Sequence, residues 1–434
     1  MTEAIGVGEL REAQMDLLFP CVATYYQEPL ELAQGSGCRV RDVEGREYLD
    51  LFAGILTTSV GHCHPEVVAA VQAQAQKLGH TSTLYVTEPQ VAVARRLSRI
   101  APGELRRTMF TNSGTEAVET AVMLACMHTG RSEVIALRHA YAGRSMLATN
   151  ITAHAPWRPL PSSYAGVKHV MAPYPYRAPI EAASDEELVD FYLRDLEEVI
   201  ETTTDGKPAA FIAETILGVG GCIVPPVGYF QRAVELIRSY GALFICDEVQ
   251  AGFGRTGTRW FGIEHWDVTP DIMVMAKGIA NGWPVAATIT TDEIAASWRA
   301  KTISTFGGNP VCMAAAGTTL EILERERAPD NAAARGAQLR TGLEHLQRHH
   351  AWIGEVRGMG LMMGLELVQD RESKRPSPAK TVALLQAAKA EGLLLGAGGL
   401  HGQVIRIGPS LLVTEAEIDE GLERLARACD AVAS

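Results

Sequence analysis

The chain has 434 residues, 47% of them apolar and 21% charged, which is enough to bury a large core and too apolar for a disordered chain. Its 51 acidic and 39 basic residues give a formal charge of -12 with no long block of either sign, which argues against a general attraction to nucleic acid or anionic membrane. Eight cysteines without a CxxC pair argue against a disulfide framework and for a reducing compartment. The N-terminus lacks the basic-then-apolar order of a secretory signal, and no run is long enough to span a bilayer, so a cytoplasmic location is expected.

In chain order, RVRDVEGREYLDLF (39–52) reads as two strands joined at Glu44-Gly45, after an N-terminal stretch without a clear pattern. His62 and His64 in GHCHP resemble a metal pair, yet no other ligand cluster or HExxH accompanies them; a turn leading into the helix after Pro65 is the favoured reading, and no metal is expected. Helical patterns such as PEVVAAVQAQAQKL then alternate with short apolar strands at 107–112, 133–137, 209–214, 243–248 and 271–276. That alternation predicts an α/β domain, a mostly parallel sheet with helices on both faces and ligands at the carboxyl ends of its strands. A sequon at Asn150-Ile151-Thr152 is read as a chance match in a chain with no export signal. Beyond Asn309 the pattern turns α+β: GMGLMMGLELV, AKTVALLQAAKAEG, VIRIGP and a last helix opened by a capping box of Thr414 and Glu417. ERERAPDNAAARG (324–336) reads as a helix junction. The expected division is an N-terminal segment (1–60) that joins the smaller domain, a large domain (61–314) and a C-terminal α+β domain (315–434).

The chemistry gathers at the strand ends. LFICDE delivers Asp247, and IMVMA is followed at once by Lys277 in KGIANGWP, so an acid and an amine are expected at the ends of neighbouring buried strands. A lysine in an apolar pocket can lose its proton and form an imine with an aldehyde, while a carboxylate keeps a pyridine nitrogen protonated. That pairing suits pyridoxal 5'-phosphate, although Lys277 taken alone is equally a solvated helix-start lysine. Ser113-Gly114-Thr115, between a strand and a helix, offers an anion cradle of hydroxyls and free amides; by itself it is also an ordinary capped turn. Tyr141 offers a flat face to an aromatic ring or is simply packed. Glu214 emerges at the same sheet edge as Asp247, for the site or to brace the TILGVGG loop. Arg406 lies inside the apolar strand VIRIGP, where a buried guanidinium needs an anion: a substrate carboxylate or a structural partner, Glu214 among the candidates. Walker, dinucleotide and GxSxG motifs are absent, which ranks nucleotide cofactors and serine hydrolysis low.

With these residues in place, the chain resembles the class III aminotransferases, the pyridoxal-phosphate family of ornithine, 4-aminobutyrate and omega-amino acid transaminases. The resemblance runs densely over about 38 to 415 through DVEGREYLDLFAGI, VGHCHPEV, TNSGTEAVETA, AETILGVGG, LFICDEVQAGFGRTGTRW, PDIMVMAKGIANGWPVAA, STFGGNP and VIRIGPSLL. It implies fold type I, a large domain on a mostly parallel seven-stranded sheet plus a smaller α+β domain. It also implies a homodimer, with a tetramer left open. Residue by residue, Lys277 becomes the imine and proton-transfer residue, Asp247 the partner of the pyridine nitrogen and Gln250 a neighbour of the ring hydroxyl. Gly114 and Thr115 hold the phosphate, and Thr305 reaches it from the other subunit. Tyr141 stacks on the ring where many relatives carry phenylalanine, Arg406 binds a carboxylate, and Glu214 neutralises Arg406 when an omega-amine donor is bound.

LFAGILTTSVGHCHP and TSTLYVTEP look most like the alanine-glyoxylate/beta-amino acid branch, with Ile55 and Tyr85 either lining the donor pocket or simply packed. The implied reaction moves an amino group from an omega-, beta- or alpha-amino acid, or a primary amine, to a 2-oxo acid such as pyruvate, glyoxylate or 2-oxoglutarate. The same fold and lysine also serve lyases, decarboxylases and epimerases. The decarboxylating relatives carry a glutamine where this chain has Ile55, which demotes that alternative. A scaffold protein that had lost the chemistry would be expected to lack Lys277 or Asp247, and both are present. A metal-dependent regulator built on His62 and His64 is the other nonenzymatic reading.

Overall fold

The computed structural model describes residues 9–161 and 164–433. Its centre is a seven-stranded sheet in the order Arg107–Thr111, Ala286–Thr290, Ile272–Met275, Leu243–Asp247, Ala210–Glu214, Val134–Leu137, Val167–Val170. All pairings are parallel except those of Ala286–Thr290, which runs against both its neighbours. Five of these strands follow the apolar runs of the sequence. Val167–Val170 escaped that pattern because it is an edge strand with only one fully buried residue. Ala286–Thr290 is a short, wholly buried run that periodicity alone does not separate from helix.

Successive strand residues point to opposite faces, so each strand feeds two cores. Ile135, Leu137, Phe211, Phe244 and Met273 pack on one side, and Val134, Ala136, Ile212, Ile245 and Val274 pack on the other with the Gly114–Thr129 helix. Because the sheet register pairs Glu214 with Asp247 and Asp247 with Val274, Glu214, Asp247 and Lys277 arrive together at one sheet edge. That edge is where ligands bind in sheets of this kind.

Two smaller sheets flank it. Leu32–Ser36, Arg39–Asp42 and Glu47–Asp50 form an antiparallel ribbon, turned at Gly45 with φ 84°, and Leu393–Leu394 joins its last strand in parallel. Ile353–Met359, Met362–Leu367, Val404–Ile407 and Gly396–Gly398 form the third sheet, which carries Arg406 between Gly364 and Gly396. The long helices Pro310–Arg325 and Ala328–His349 meet at Arg327, whose φ of 50° breaks the run. Thr414 and Glu417 cap the last helix reciprocally. The sequon residue Asn150 is buried, its amide donating to Met146 O at 2.6 Å and accepting from Tyr164 N at 3.2 Å. Among the described residues no helix is long and apolar enough to cross a membrane, and no three His, Cys, Asp or Glu side chains gather as a metal site.

The third sheet is tied to the body by Glu366, which is fully buried. One carboxylate oxygen accepts from Arg177 Nε at 2.8 Å and Gln403 Nε2 at 3.1 Å; the other accepts from Tyr174 Oη and Arg357 Nη2, both at 2.7 Å. Burial alone would raise its pKa, but Arg357 and Arg177 outweigh burial and hold it below the usual carboxylate value. A depressed carboxylate stabilises the fold above its unfolded pKa, and that contribution is lost as pH falls through the folded value. Removing Glu366 leaves the half-buried Arg177 without its carboxylate and the buried Arg357 with Glu355 alone, at a cost of up to about 3–5 kcal/mol. Glu366→Ala is therefore expected to lower the thermal unfolding midpoint sharply at neutral pH, with the gap from wild type narrowing in acid. An unchanged midpoint at neutral pH would contradict this role.

Candidate active site

Lys277 follows a wholly buried strand and takes φ 47°, an unusual value for a residue with a Cβ, of the kind that persists only where the surroundings enforce it. Ser59 Oγ donates to Gly278 O at 2.7 Å, while Asn281 accepts from Val60 N at 2.9 Å and donates to Gly61 O at 2.8 Å. The KGIANG loop is thus pinned on both sides of the lysine. Burial pushes the Lys277 amine down to about 8, Arg406 adds to the push, and Asp247 and Glu214 oppose it.

The carboxylates respond in the opposite sense. Asp247, buried and accepting from Val249 N at 3.0 Å, is raised by burial. Glu214 is raised by burial and then by Asp247, against bonds from Tyr141 N at 3.0 Å and Gly218 N at 2.8 Å. Next to Asp247 on the other face of the strand, Glu248 accepts from Thr215 Oγ1 at 2.6 Å, Ile263 N at 2.8 Å and Gly262 N at 2.9 Å, fixing the turn that leaves the strand. Sequence reasoning passed over Glu248, although its place in DEVQ was the available signal.

A cavity of about 280 Å³ opens among these groups, lined by Lys277 and Asp247 and by Ser113, Gly114 and Thr115. Ser113 caps the Gly114–Thr129 helix by accepting from Glu116 N, while the Glu116 carboxylate takes the amides of Asn112 at 2.6 Å and Ser113 at 3.1 Å. The amides of Gly114 and Thr115 begin the helix with no preceding turn to bond to, which makes an anion cradle. Gly143, with φ 131°, has no room for a Cβ, which would sit 2.2 Å from Thr115 Oγ1. Tyr141 lines the cavity with its ring edge-on to Trp157 at 6.1 Å, a contact unforeseen in the sequence. Trp283 of KGIANGWP also lines it.

Gln250 lines the same cavity but turns its amide oxygen to Arg406 Nη2. The ion pair of Arg406 with Glu214 anticipated from sequence is not formed: both Glu214 oxygens are taken by the backbone amides of Tyr141 and Gly218. Arg406 is buried, its Nε has no partner, and its guanidinium lies 5.4 Å from the Phe52 ring centroid. Phe52 gave no signal in the sequence. Thr305, Tyr85 and Ile55 do not line this cavity. Thr305 and Tyr85 sit on two exposed segments joined by Thr83 N to Ser304 O at 3.1 Å and Ser304 N to Thr83 Oγ1 at 2.9 Å. Ile55 is 46% exposed on the turn that follows Phe52.

An anion cradle, a buried acid and a buried amine of lowered pKa around one cavity fit pyridoxal phosphate, which carries a phosphate, a basic ring nitrogen and an aldehyde. The class-III aminotransferase family model matches residues 22–429. The chain belongs to that family, and it is a pyridoxal-phosphate-dependent aminotransferase that moves an amino group from an amino donor to an oxo acid. Among curated proteins it is 41% identical to an Arabidopsis thaliana alanine–glyoxylate aminotransferase 2 homolog, over 93% of this chain and 83% of the relative. It is 39% identical to the acetylornithine aminotransferase of Methanopyrus kandleri, over 93% of this chain and 95% of the relative. Among solved structures, an (S)-enantioselective omega-transaminase from Thermomicrobium roseum superimposes with a TM-score of 0.92 at 35% identity, over 100% of both chains.

The lowered pKa of Lys277 has a direct consequence. Only the neutral amine attacks an aldehyde, so capture of pyridoxal phosphate by the cofactor-free protein is expected to rise with pH to a half-maximum near 8. A midpoint near the ordinary lysine value of 10.5 would contradict a buried, destabilised ammonium.

Proposed function

We propose that the donor is a short alpha-, beta- or omega-amino acid or a primary amine, and the acceptor a short 2-oxo acid such as pyruvate, glyoxylate or 2-oxoglutarate. The observation that carries this reading is Arg406. It is a buried guanidinium beside the Lys277 cavity, held by a neutral amide, with no carboxylate within ion-pairing distance among the described residues. A buried cation without an anion is costly, and a substrate carboxylate supplies the two oxygens its fork is shaped to take. The names of the relatives agree in kind: alanine–glyoxylate aminotransferase and omega-transaminase.

In this reading pyridoxal phosphate supplies an aldehyde and an electron-withdrawing ring when bound. The Gly114 and Thr115 amides and the Ser113 and Thr115 hydroxyls would hold its phosphate, Tyr141 would pack on its ring, Gln250 would neighbour the ring hydroxyl, and Asp247 would keep the ring nitrogen protonated. Lys277 would hold the aldehyde carbon until a donor amine took its place. Its Nζ, with a proton affinity lowered by burial, would then take the proton from the donor's amine-bearing carbon and deliver it to the carbon that had carried the aldehyde. Glu214, raised toward its neutral form, adds little repulsion when a carboxylate binds Arg406; to balance that arginine for a donor without one it would have to leave the Tyr141 and Gly218 amides.

The functional unit we propose is a homodimer, built on the surface of Tyr85, Ile303 and Phe306, which are 67%, 69% and 61% exposed. Such a patch marks an interaction site, and it carries Thr305, which would reach the phosphate of the partner's cofactor. A reducing, cytoplasmic setting agrees with eight free cysteines.

Turnover with each of the three oxo acids tests the reaction, and Arg406→Leu tests the site. The variant is expected to lose about 10²-fold or more in kcat/KM for the oxo acid, the scale of deleting a charged partner. Activity with none of the three, or an unaltered Arg406→Leu, would overturn the reading. For the dimer, Lys277→Ala and Thr305→Glu chains are each expected to be inactive alone. Mixed, they should regain activity, because one site of each heterodimer has Lys277 and Thr305 intact. No recovery in a verified heterodimer would exclude a shared site.

A further inference from the structure

Four consecutive residues, Ala53, Gly54, Ile55 and Leu56, take φ of 49°, 57°, 68° and 58°. This is one turn of left-handed helix, closed by Leu56 N to Phe52 O and Thr57 N to Ala53 O, both at 2.8 Å. Three of the four carry a Cβ, for which that conformation costs about 1–2 kcal/mol per residue, so something outside the turn must hold it. Asp50 does so from the end of its strand. Buried, it accepts the amides of Phe52 at 2.8 Å and Ala53 at 2.9 Å on one oxygen, and its other oxygen meets His62 Nε2 at 2.8 Å.

His62 is itself locked in place. Its backbone exchanges two bonds with Gly37, His62 N to Gly37 O at 2.8 Å and Gly37 N to His62 O at 3.0 Å. A Cβ on Gly35 would stand 2.8 Å from the His62 Cβ, so a glycine is required for the ring to lie there. The HxH motif that looked like half a metal site thus places its first histidine on a carboxylate.

The inward side chains of the turn both land on the strand pair that carries Arg406. Phe52 lies under the guanidinium and over Gly396, the sheet partner of Arg406, where a Cβ would approach the ring to 2.1 Å. Leu56 covers Gly408, two residues beyond Arg406, where a Cβ would approach Leu56 to 2.6 Å. We propose that Asp50 and His62 are a positioning pair: they hold the left-handed turn so that Phe52 and Leu56 clasp the Arg406 strand and aim its guanidinium at the substrate carboxylate. The inference rests on the reading of Arg406 as the carboxylate site.

The test compares substrates with and without a carboxylate on the holoenzyme, in half-reactions followed by the visible absorbance of the bound cofactor. Asp50→Ala is expected to raise the apparent KM for pyruvate about tenfold while moving that for 1-phenylethylamine by less than about twofold, because a displaced guanidinium is felt only by a carboxylate. Asp50→Asn keeps an oxygen for the two amides and should return the pyruvate KM to within about threefold of wild type, and His62→Gln should raise it by an intermediate factor. His62→Gln also serves if Asp50→Ala does not fold. Equal changes for both substrates, or none in either variant, would overturn the proposal. Arg406→Leu run alongside separates the two claims. If it leaves the pyruvate KM unchanged, the carboxylate reading fails and takes the pair with it. If it raises that KM and neither Asp50→Ala nor His62→Gln does, the pair alone is wrong.

Discussion

The burial of Lys277 beside two carboxylates and a guanidinium is the constraint on which the rest of the molecule turns. Four ionisable side chains from separate strands meet where water is scarce, and each is moved toward its neutral form or left short of partners. Desolvation disfavours every charge in such a place. The result is an amine that gives up its proton more readily than an ordinary lysine, two acids held above the usual carboxylate range, and an arginine with unused hydrogen-bonding capacity. A stable protein tolerates this only where the frame cannot relax, and the surrounding hydrogen bonds of Ser59, Asn281, Glu248 and Gly218 supply that rigidity.

The three sheets divide the task. The central sheet brings Glu214, Asp247 and Lys277 to one edge through register alone, because adjacent parallel strands end together. The helix that follows the first strand contributes its amino end, which attracts an anion. Arg406 comes from a different sheet, so its position depends on how that sheet is fastened to the body. Glu366 fastens one side with its two arginines, and the left-handed turn after Asp50 fastens the other. In this arrangement the chemistry of the amine and the recognition of a carboxylate are set by separate structural elements. The relatives, which span alanine–glyoxylate and acetylornithine aminotransferases and omega-transaminases, are compatible with such a division.

What could be read in the sequence was whatever a short window encodes. Apolar runs ending in acid or amine marked the strands and placed Asp247 and Lys277, and the Ser113 and Thr414 caps were legible because capping is a local exchange between residues three apart. Relations made by tertiary packing were not legible. Nothing near Gln250 or Arg406 announces that an amide, rather than Glu214, would hold the guanidinium. Phe52 and Trp157 looked like ordinary aromatics because their targets, Arg406 and Tyr141, lie outside any short window of sequence. Ala53, Ile55 and Leu56 gave no hint of a left-handed turn, since glycine is the usual sign of that conformation and only Gly54 carries it. The two histidines of GHCHP were read as a turn in preference to a metal pair, but the partner of His62 stayed hidden because spacing shows which residues are close in the chain, not which carboxylate one of them will meet. Thr305 and Tyr85 were drawn from family resemblance, and the fold of the chain leaves them on an exposed surface.

The most direct test of the central claim is the visible spectrum of the holoenzyme, with an amino donor added first and a 2-oxo acid second. If Lys277 is the residue that holds and releases the cofactor, the absorbance of the bound form disappears with the donor and returns with the oxo acid, and Lys277→Ala shows neither change. Cycling that persists in Lys277→Ala, or a wild-type spectrum indifferent to every donor offered, would contradict the account.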